Sequence, residues 1–317
     1  MKKKNINTVI IGAGKMATEY VKVLKSLKFF KVTGILSRSQ TRVTKFAKLH
    51  GIKKIYKNIS EINIDENINF IIITPSAENV GKVIFKMLNS NPIILAEKPL
   101  GLSYVECKKT ILHARKHKLN LYIGLNRRFY PSTIELLKTL NNNIHQKKKR
   151  IVEVFDSQNR IRSKKIQDSI KVTKSLMYAN SVHLIDYFNI FCRGKIKSIK
   201  NFKNNYYDPD IIFSILKFSS GDEGYYHCVW NQDSRWKVKV SMRNFKEWTM
   251  QPLESLKEFD NKLHKENFNK KYKYSFKPGL YESISNVENK FFNKKNNLHT
   301  AKDHIKTLDL IRRIYDK

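Results

Sequence analysis

Thr8-Val9-Ile10-Ile11-Gly12-Ala13-Gly14-Lys15-Met16-Ala17 is the stretch that decides the fold. A β-branched apolar run ends at a Gly-x-Gly-x-x-Ala turn, and apolar residues then recur at Val21, Leu24 and Leu27 with helical spacing. Strand, glycine turn and helix in that order form the fingerprint of a dinucleotide-binding βαβ unit. Gly12 allows the tight turn, Gly14 lets backbone approach a pyrophosphate, and Ala17 keeps the helix close to the sheet. The first helical turn, with Lys15 and Met16, would then carry the phosphate charge.

Working outward, residues 32–36 read as the second strand, and its end separates NAD from NADP. Ser37-Arg38-Ser39-Gln40-Thr41-Arg42 offers no carboxylate for a ribose hydroxyl. Arg38 and Arg42 suit a 2′-phosphate, so the expectation is NAD(P) with NADP favoured. Residues 41–50 and 79–88 read as helices. Residues 70–73 form a buried strand followed by Thr74-Pro75-Ser76, a turn expected beside the nicotinamide. Residues 93–96 form another, delivering Glu97-Lys98-Pro99 to a strand's carboxyl end, where ligands of open α/β sheets bind. Ser103 and Glu106 have capping-box spacing and open a helix to about residue 116. Tyr104 and Lys108 match the Tyr-x-x-x-Lys of short-chain dehydrogenases, but they sit on that capped helix and the glycine motif is of another type. With a strand at 121–124, regular β–α alternation predicts a doubly wound parallel sheet over residues 1–124.

Asn126-Arg127-Arg128-Phe129-Tyr130-Pro131 marks a boundary. Residues 125–317 read as an α+β domain for substrate binding and oligomerisation. It has helices at 132–140 and 181–191, the latter with Val182, Ile185, Phe188 and Ile190 inward and Gly194 closing it. Strands at 150–157, 196–202, 211–218, 224–230, 237–241 and 245–249 are joined by turns at Asp233-Ser234 and Arg243-Asn244. Strands in series predict an open, mostly antiparallel sheet. Helices at 280–292 and 300–315 close the sequence, and the last could pack back on the first domain.

The 317 residues are 41% apolar, enough for two cores, and carry 62 Lys+Arg against 27 Asp+Glu, a net charge of +35. The excess is spread along ordinary helix and strand patterns without a helix-turn-helix, zinc-finger or RNP-type motif, so nucleic acid is not the expected partner. Cys107, Cys192 and Cys228 show no metal-ligand grouping, which predicts no metal site and a reducing, cytoplasmic setting. No run approaches the length of a membrane span.

Gly12-Ala13-Gly14-Lys15-Met16-Ala17, Glu97-Lys98-Pro99-Leu100, Gly124-Leu125-Asn126-Arg127-Arg128-Phe129 and His183-Leu184-Ile185-Asp186, in this order, resemble the glucose–fructose oxidoreductase / inositol dehydrogenase (Gfo/Idh/MocA) family. The resemblance spans the whole chain. It implies an NAD(P)-dependent oxidoreductase for a sugar, cyclitol or nucleotide-linked sugar, homo-oligomeric as a dimer or tetramer. It makes Lys98 the residue that touches the reacting hydroxyl and nicotinamide ribose, and His183 the catalytic histidine. An imidazole pKa of about 6.5 suits the proton transfer that accompanies hydride transfer.

The family often places an aspartate four residues before that histidine; here Ala179 stands there, with Asn180 beside it. Tyr178-Ala179-Asn180-Ser181 is similar to members that handle nucleotide-linked sugars for surface polysaccharides. Asn126, Arg127, Tyr178 and Asn180 join Lys98 and His183 as candidate substrate contacts, with an anionic group suiting Arg127 or Arg128. The other arginine would make an ion pair. Asp186 reads equally as pocket residue or ion-pair partner. Tyr178 and Trp230 read as a sugar-stacking wall or, more commonly, as core. The rival from another class is a nucleotide-binding sensor or scaffold that lacks turnover because Ala179 has no carboxylate.

Overall fold

Four short apolar runs and two less apolar ones lie side by side in the first half of the chain. They are β1 (Ile6–Ile11), β2 (Phe30–Leu36), β3 (Lys54–Ile55), β4 (Phe70–Ile73), β5 (Ile93–Ala96) and β6 (Asn120–Ile123), all parallel, in the order β3-β2-β1-β4-β5-β6. The computed structural model describes residues 5–166, 169–205, 209–231, 236–242, 246–260, 263–265 and 275–316. β4 and β5 are buried at every position, the mark of strands covered on both faces. The helix Lys15–Ser26 buries Ala17, Tyr20, Val21, Val23 and Leu24 against the sheet. Leu280, Ile284 and Val287 of the helix Leu280–Phe291 complete the same core. The chain forms two compact units, one of Met1–Asn126 with Tyr274–Ile305, the other of Arg127–Lys273 with Lys306–Lys317.

The second unit is built on β7 (Arg150–Asp156), β8 (Ile196–Lys203), β9 (Ile211–Phe218), β10 (Glu223–Val229), β11 (Lys237–Met242), β12 (Glu247–Met250), β13 (Lys257–Asp260) and β14 (Leu263–Lys265). Their order is β14-β13-β12-β11-β7-β10-β9-β8. Every pair is antiparallel except β7 with β10, which runs parallel at the centre. Burial alternates along β7, β10 and β11, so one face is core and the other is open. The helix Val182–Phe191 lies on the core face and is buried at Val182, Ile185 and Phe188, whereas Ile190, expected inward, is half-buried.

Arg150, the last residue of the basic run Lys147-Lys148-Lys149-Arg150, is 1% exposed and is a staple rather than a solvated charge. Its guanidinium donates to the carbonyls of Leu140 and Phe191, the last residues of two helices. Cations are favoured at helix C-termini. Asp222, fully buried, accepts from the Arg150 backbone N–H and from the Arg193 backbone and guanidinium.

The helix expected over 79–88 is Val80–Ile84, preceded by a 3₁₀ turn at Ala77–Asn79. Past it, Asn63 donates to the Lys86 carbonyl and accepts from the Leu88 N–H, which a helix to residue 88 would turn on Ile84. β3 and the helix Ile59–Ile64 were not expected, nor were the charged edge strands β13 and β14. The predicted turns at 233–234 and 243–244, and Phe245, lie outside the described residues.

Candidate active site

Because the six strands of the first unit are parallel, their carboxyl ends share one edge. Gly12 and Gly14 follow β1, Ser37 and Arg38 follow β2, Thr74 and Pro75 follow β4, Glu97 and Lys98 follow β5, and Asn126 follows β6. Strand order reverses between β1 and β4, the switch point where open α/β sheets take their ligands. Gly12 has φ +121°, and a Cβ there would lie 2.6 Å from the Thr74 carbonyl oxygen, so only glycine fits. Thr74 is held by its N–H and hydroxyl on the Ile11 carbonyl, at 2.7 and 3.3 Å.

Gly14 shows the opposite constraint. A Cβ there would meet nothing within 4 Å, and Gly14 caps the helix Lys15–Ser26 without a side-chain hydrogen bond or an acidic residue in the first turn. The helix therefore presents its N-terminal N–H groups to open space, which fits a dinucleotide's phosphates. Lys15 is exposed and Met16 half-buried beside it. Ser39 caps the helix Gln40–His50 by accepting from the Arg42 N–H, while Arg38 and Arg42 are exposed and form no ion pair among the described residues.

Glu97 is buried and accepts 2.7 Å from the Tyr20 hydroxyl. A Cβ on Gly124 would touch both groups at 3.2 Å, so the glycine after β6 makes room for that pair. Burial raises the Glu97 carboxyl above its usual range, against the pull of Lys98, the Tyr20 hydroxyl and Lys277. Lys98 is half-buried and its peptide bond to Pro99 is cis. Asn126 donates to the Pro278 carbonyl at 3.0 Å.

In the second unit, His183 is 5% exposed in the first turn of Val182–Phe191. The π-helical turn Met177–Ser181 runs into it, a form frequent at functional sites. Arg128 forks onto Asp186 at 2.5 and 2.8 Å, and Thr307 also donates to Asp186 at 2.7 Å, so that carboxylate is an ion-pair partner. Arg127 stacks on Trp236 at 4.2 Å, and its Nη1 is buried without a hydrogen bond among the described residues. Tyr178 and Trp230 are each 2% exposed. Trp230 packs on Tyr315 with ring centroids 5.9 Å apart, the core arrangement.

Asn180 donates to Gln158 at 2.7 Å, and Gln158 donates to Asp156 at 2.7 Å and to Ser181 at 3.2 Å. Asp156 also accepts from Tyr226 at 2.6 Å. Burial raises the Asp156 carboxyl above its usual range, although Ser181, Tyr226, Gln158 and Arg127 all favour its charged form. Sequence reading missed Tyr20, Asp156 and Gln158. For Asp156 a signal existed: it continues the inward series Val152 and Val154, and a carboxylate on an inward strand position is rare without a role. A hollow of about 430 Å³ lined by Ile199, Asn201, Arg312, Arg313 and Asp316 contains none of the predicted residues.

Residues 6–125 match the family described as an oxidoreductase family with an NAD-binding Rossmann fold, Gfo/Idh/MocA. Over those residues the chain is similar to that family. An uncharacterized oxidoreductase of Bacillus subtilis is 29% identical over 140 residues, covering 44% of this chain and 41% of the relative. The trans-1,2-dihydrobenzene-1,2-diol dehydrogenase of Oryctolagus cuniculus is 28% identical over 133 residues, covering 41% and 40%. The alignments thus span about two-fifths of each curated relative. The likeness of fold extends further: a UDP-N-acetylglucosamine 3-dehydrogenase of Acidithiobacillus ferrooxidans superposes with TM-score 0.77 at 12% identity over 98% of this chain and 97% of that one. Among the described residues no helix is long and apolar enough to cross a membrane, and no group of three or more His, Cys, Asp or Glu could hold a metal ion.

Proposed function

We propose that this chain is an NAD(P)-dependent oxidoreductase acting on a hydroxyl or keto carbon of a sugar, cyclitol or nucleotide-linked sugar. The observation that carries the reading is the shared carboxyl edge of the first unit, with Gly12, Gly14, Thr74 and Lys98 on neighbouring strands. NAD(P), when bound, supplies the hydride acceptor or donor. Lys98 polarises the reacting oxygen and stabilises negative charge as it develops. His183 takes or returns the hydroxyl proton. Asn126, Arg127 and Asn180 orient the substrate, with Arg127 suited to an anionic substituent, while buried Tyr178 supports the turn. The finer assignment is a nucleotide-linked sugar on the way to a surface polysaccharide, in a reducing cytoplasm compatible with three buried free cysteines.

Fluorescence titration with NADH and NADPH, then turnover over a panel of sugars, cyclitols and UDP-sugars, tests the proposal. Lys98→Ala and His183→Ala are each expected to lower kcat by about 10²–10⁴-fold. Unchanged turnover in both variants would remove the mechanism. Arg38→Ala should weaken NADPH by about tenfold and leave NADH within about twofold, since one charge-assisted contact contributes about 1.5–3 kcal/mol.

A second reading stands on Ala179, where the usual carboxylate is missing: a nucleotide sensor that binds tightly and turns nothing over. Turnover by the unmodified protein would reject it, whereas turnover gained only in Ala179→Asp would show that the carboxylate alone is missing. We propose homo-oligomerisation through the open face of the second unit's sheet. There Phe202, Phe213, His227 and Phe155 form a ladder of rings with successive centroids 6.1, 5.0 and 4.5 Å apart. Phe213→Glu should shift the mass measured by light scattering to that of the monomer.

A further inference from the structure

The carboxylate missing at position 179 has a counterpart elsewhere in the same unit. Asp156 ends β7 and is 3% exposed, and its two oxygens are engaged from opposite sides. Oδ2 accepts from Tyr226 at 2.6 Å; the Tyr226 and Tyr315 hydroxyls lie 2.8 Å apart, and the Cys228 thiol lies 3.5 Å from the Tyr315 hydroxyl. Oδ1 accepts from Gln158 Nε2 at 2.7 Å, and Gln158 Oε1 accepts from Asn180 Nδ2 at 2.7 Å.

Both Asp156 oxygens accept, Oδ2 from Tyr226 and Oδ1 from Gln158. Gln158 must therefore turn its NH₂ toward Asp156 and its carbonyl toward Asn180. Asn180, in turn, spends an N–H on Gln158, which leaves its carbonyl oxygen and second N–H for other partners. The second N–H of Gln158 goes to Ser181 Oγ at 3.2 Å, so the amide has no second orientation of equal quality. The chain of amides thus transmits the acceptor character of a buried carboxylate to Asn180, one position from Ala179 and three before His183.

We propose that Asp156 and Gln158 are positioning residues that fix Asn180 with its carbonyl oxygen toward the substrate, supplying the hydrogen-bond acceptor that Ala179 lacks. This rests on the oxidoreductase reading above. Asn180 accepts from a substrate hydroxyl beside the reacting carbon; Asp156 and Gln158 act only through it. The charge stays buried on β7 while its acceptor character appears at the turn that leads to His183.

The polarity is what makes the proposal testable. Asn180→Asp places an acceptor where Gln158 offers an acceptor, so the Gln158 amide cannot satisfy both ends. Adding Asp156→Asn removes that conflict. In the double variant D156N/N180D the amide introduced at position 156 donates to Gln158 Oε1, and Gln158 Nε2 donates to the carboxylate introduced at position 180. The experiment is a double-mutant cycle on the full chain, read by thermal midpoint and by kcat and KM with the best substrate of the panel. N180D alone should lower both the midpoint and kcat/KM, the latter by about tenfold or more, the cost of an unmatched buried polar group. D156N/N180D should recover the midpoint and most of kcat/KM. Gln158→Met, which cuts the chain of amides, should lower kcat/KM with NADPH affinity unchanged. A double variant no better than N180D in both readouts overturns the proposal. Recovery of the midpoint without kcat/KM also overturns it, leaving a structural network only. Absence of turnover by the unmodified protein over the whole panel instead overturns the oxidoreductase reading, which the midpoint cycle does not depend on.

Discussion

Gly12 and Gly14 are two positions apart and are glycine for different reasons. At Gly12 the fold demands it: the left-handed φ and the 2.6 Å approach to Thr74 exclude any side chain. Gly12→Ala should therefore destabilise the protein by about 2–4 kcal/mol, seen as a lower urea midpoint, with nucleotide affinity lost alongside. At Gly14 the protein has room, and its φ of −106° suits any residue. Gly14→Ala should lower the midpoint only slightly yet weaken NADPH by about tenfold or more, because the methyl group intrudes on the ligand alone. Equal effects in the two variants would mean that the loop is not a phosphate cradle. The pair was legible from the motif, but the division of labour needed coordinates. Arg127 and Arg128 read in sequence as one anion contact and one ion-pair partner, with nothing to say which is which. Only the fork of Arg128 onto Asp186 assigns the second role, since neighbouring arginines look alike in sequence.

Elements with strong periodicity or a cap were readable. β4, β5 and β9 fall where apolar runs of about four to eight residues predict them, and Ser103 caps the helix Tyr104–Lys116 by accepting from the Glu106 N–H at 3.2 Å. The helix Ile59–Ile64 carries the same kind of cap, Asn58 accepting from Glu61, but is too short for its period to show. β13 reads Lys-Glu-Phe-Asp and lies toward the sheet edge, where little burial is required and no apolar pattern forms. A prediction at this scale concerns the Arg193–Asp222 pair that braces β7 and β10. Burial favours the neutral Asp222 carboxyl, but Arg193 and two backbone N–H groups outweigh it and hold the carboxyl below its usual range. A depressed carboxylate pKa stabilises fully above the unfolded value of about 3.9, and that contribution drains as pH falls toward the lower folded value. The urea midpoint should hold down to about pH 5 and then fall, with a shallower fall in Asp222→Asn.

At the scale of the molecule, the α/β class could be read from residue order. What could not be read is that each compact unit is discontinuous. The helix Leu280–Phe291 buries Leu280, Ile284 and Val287 in the core begun by β1 and Lys15–Ser26, and Thr300 bridges to Tyr122 beside β6. Such a return depends on contacts between residues far apart in sequence, which leave no local trace. Ile284→Ala should destabilise the protein by about 2–5 kcal/mol by chemical denaturation, as a large-to-small change in a closed core. A fragment of residues 1–126 should bind a hydrophobic dye and melt without cooperativity. Joining residues 275–305 to it through a flexible linker should restore a cooperative transition.

The Tyr315–Tyr226–Asp156 contact has a consequence for the order of events in synthesis. A ribosome delivers β7 long before it delivers Tyr315. Until the later residue emerges, the buried hydroxyl chain that ends on Asp156 is incomplete. Through that interval Asp156 has its bonds from Gln158 and, once β10 is made, from Tyr226, while the Tyr226 hydroxyl waits for Tyr315. A nascent chain that halts before residue 315 leaves the Tyr226 hydroxyl short of a buried neighbour, a gap that marks the second unit as unfinished.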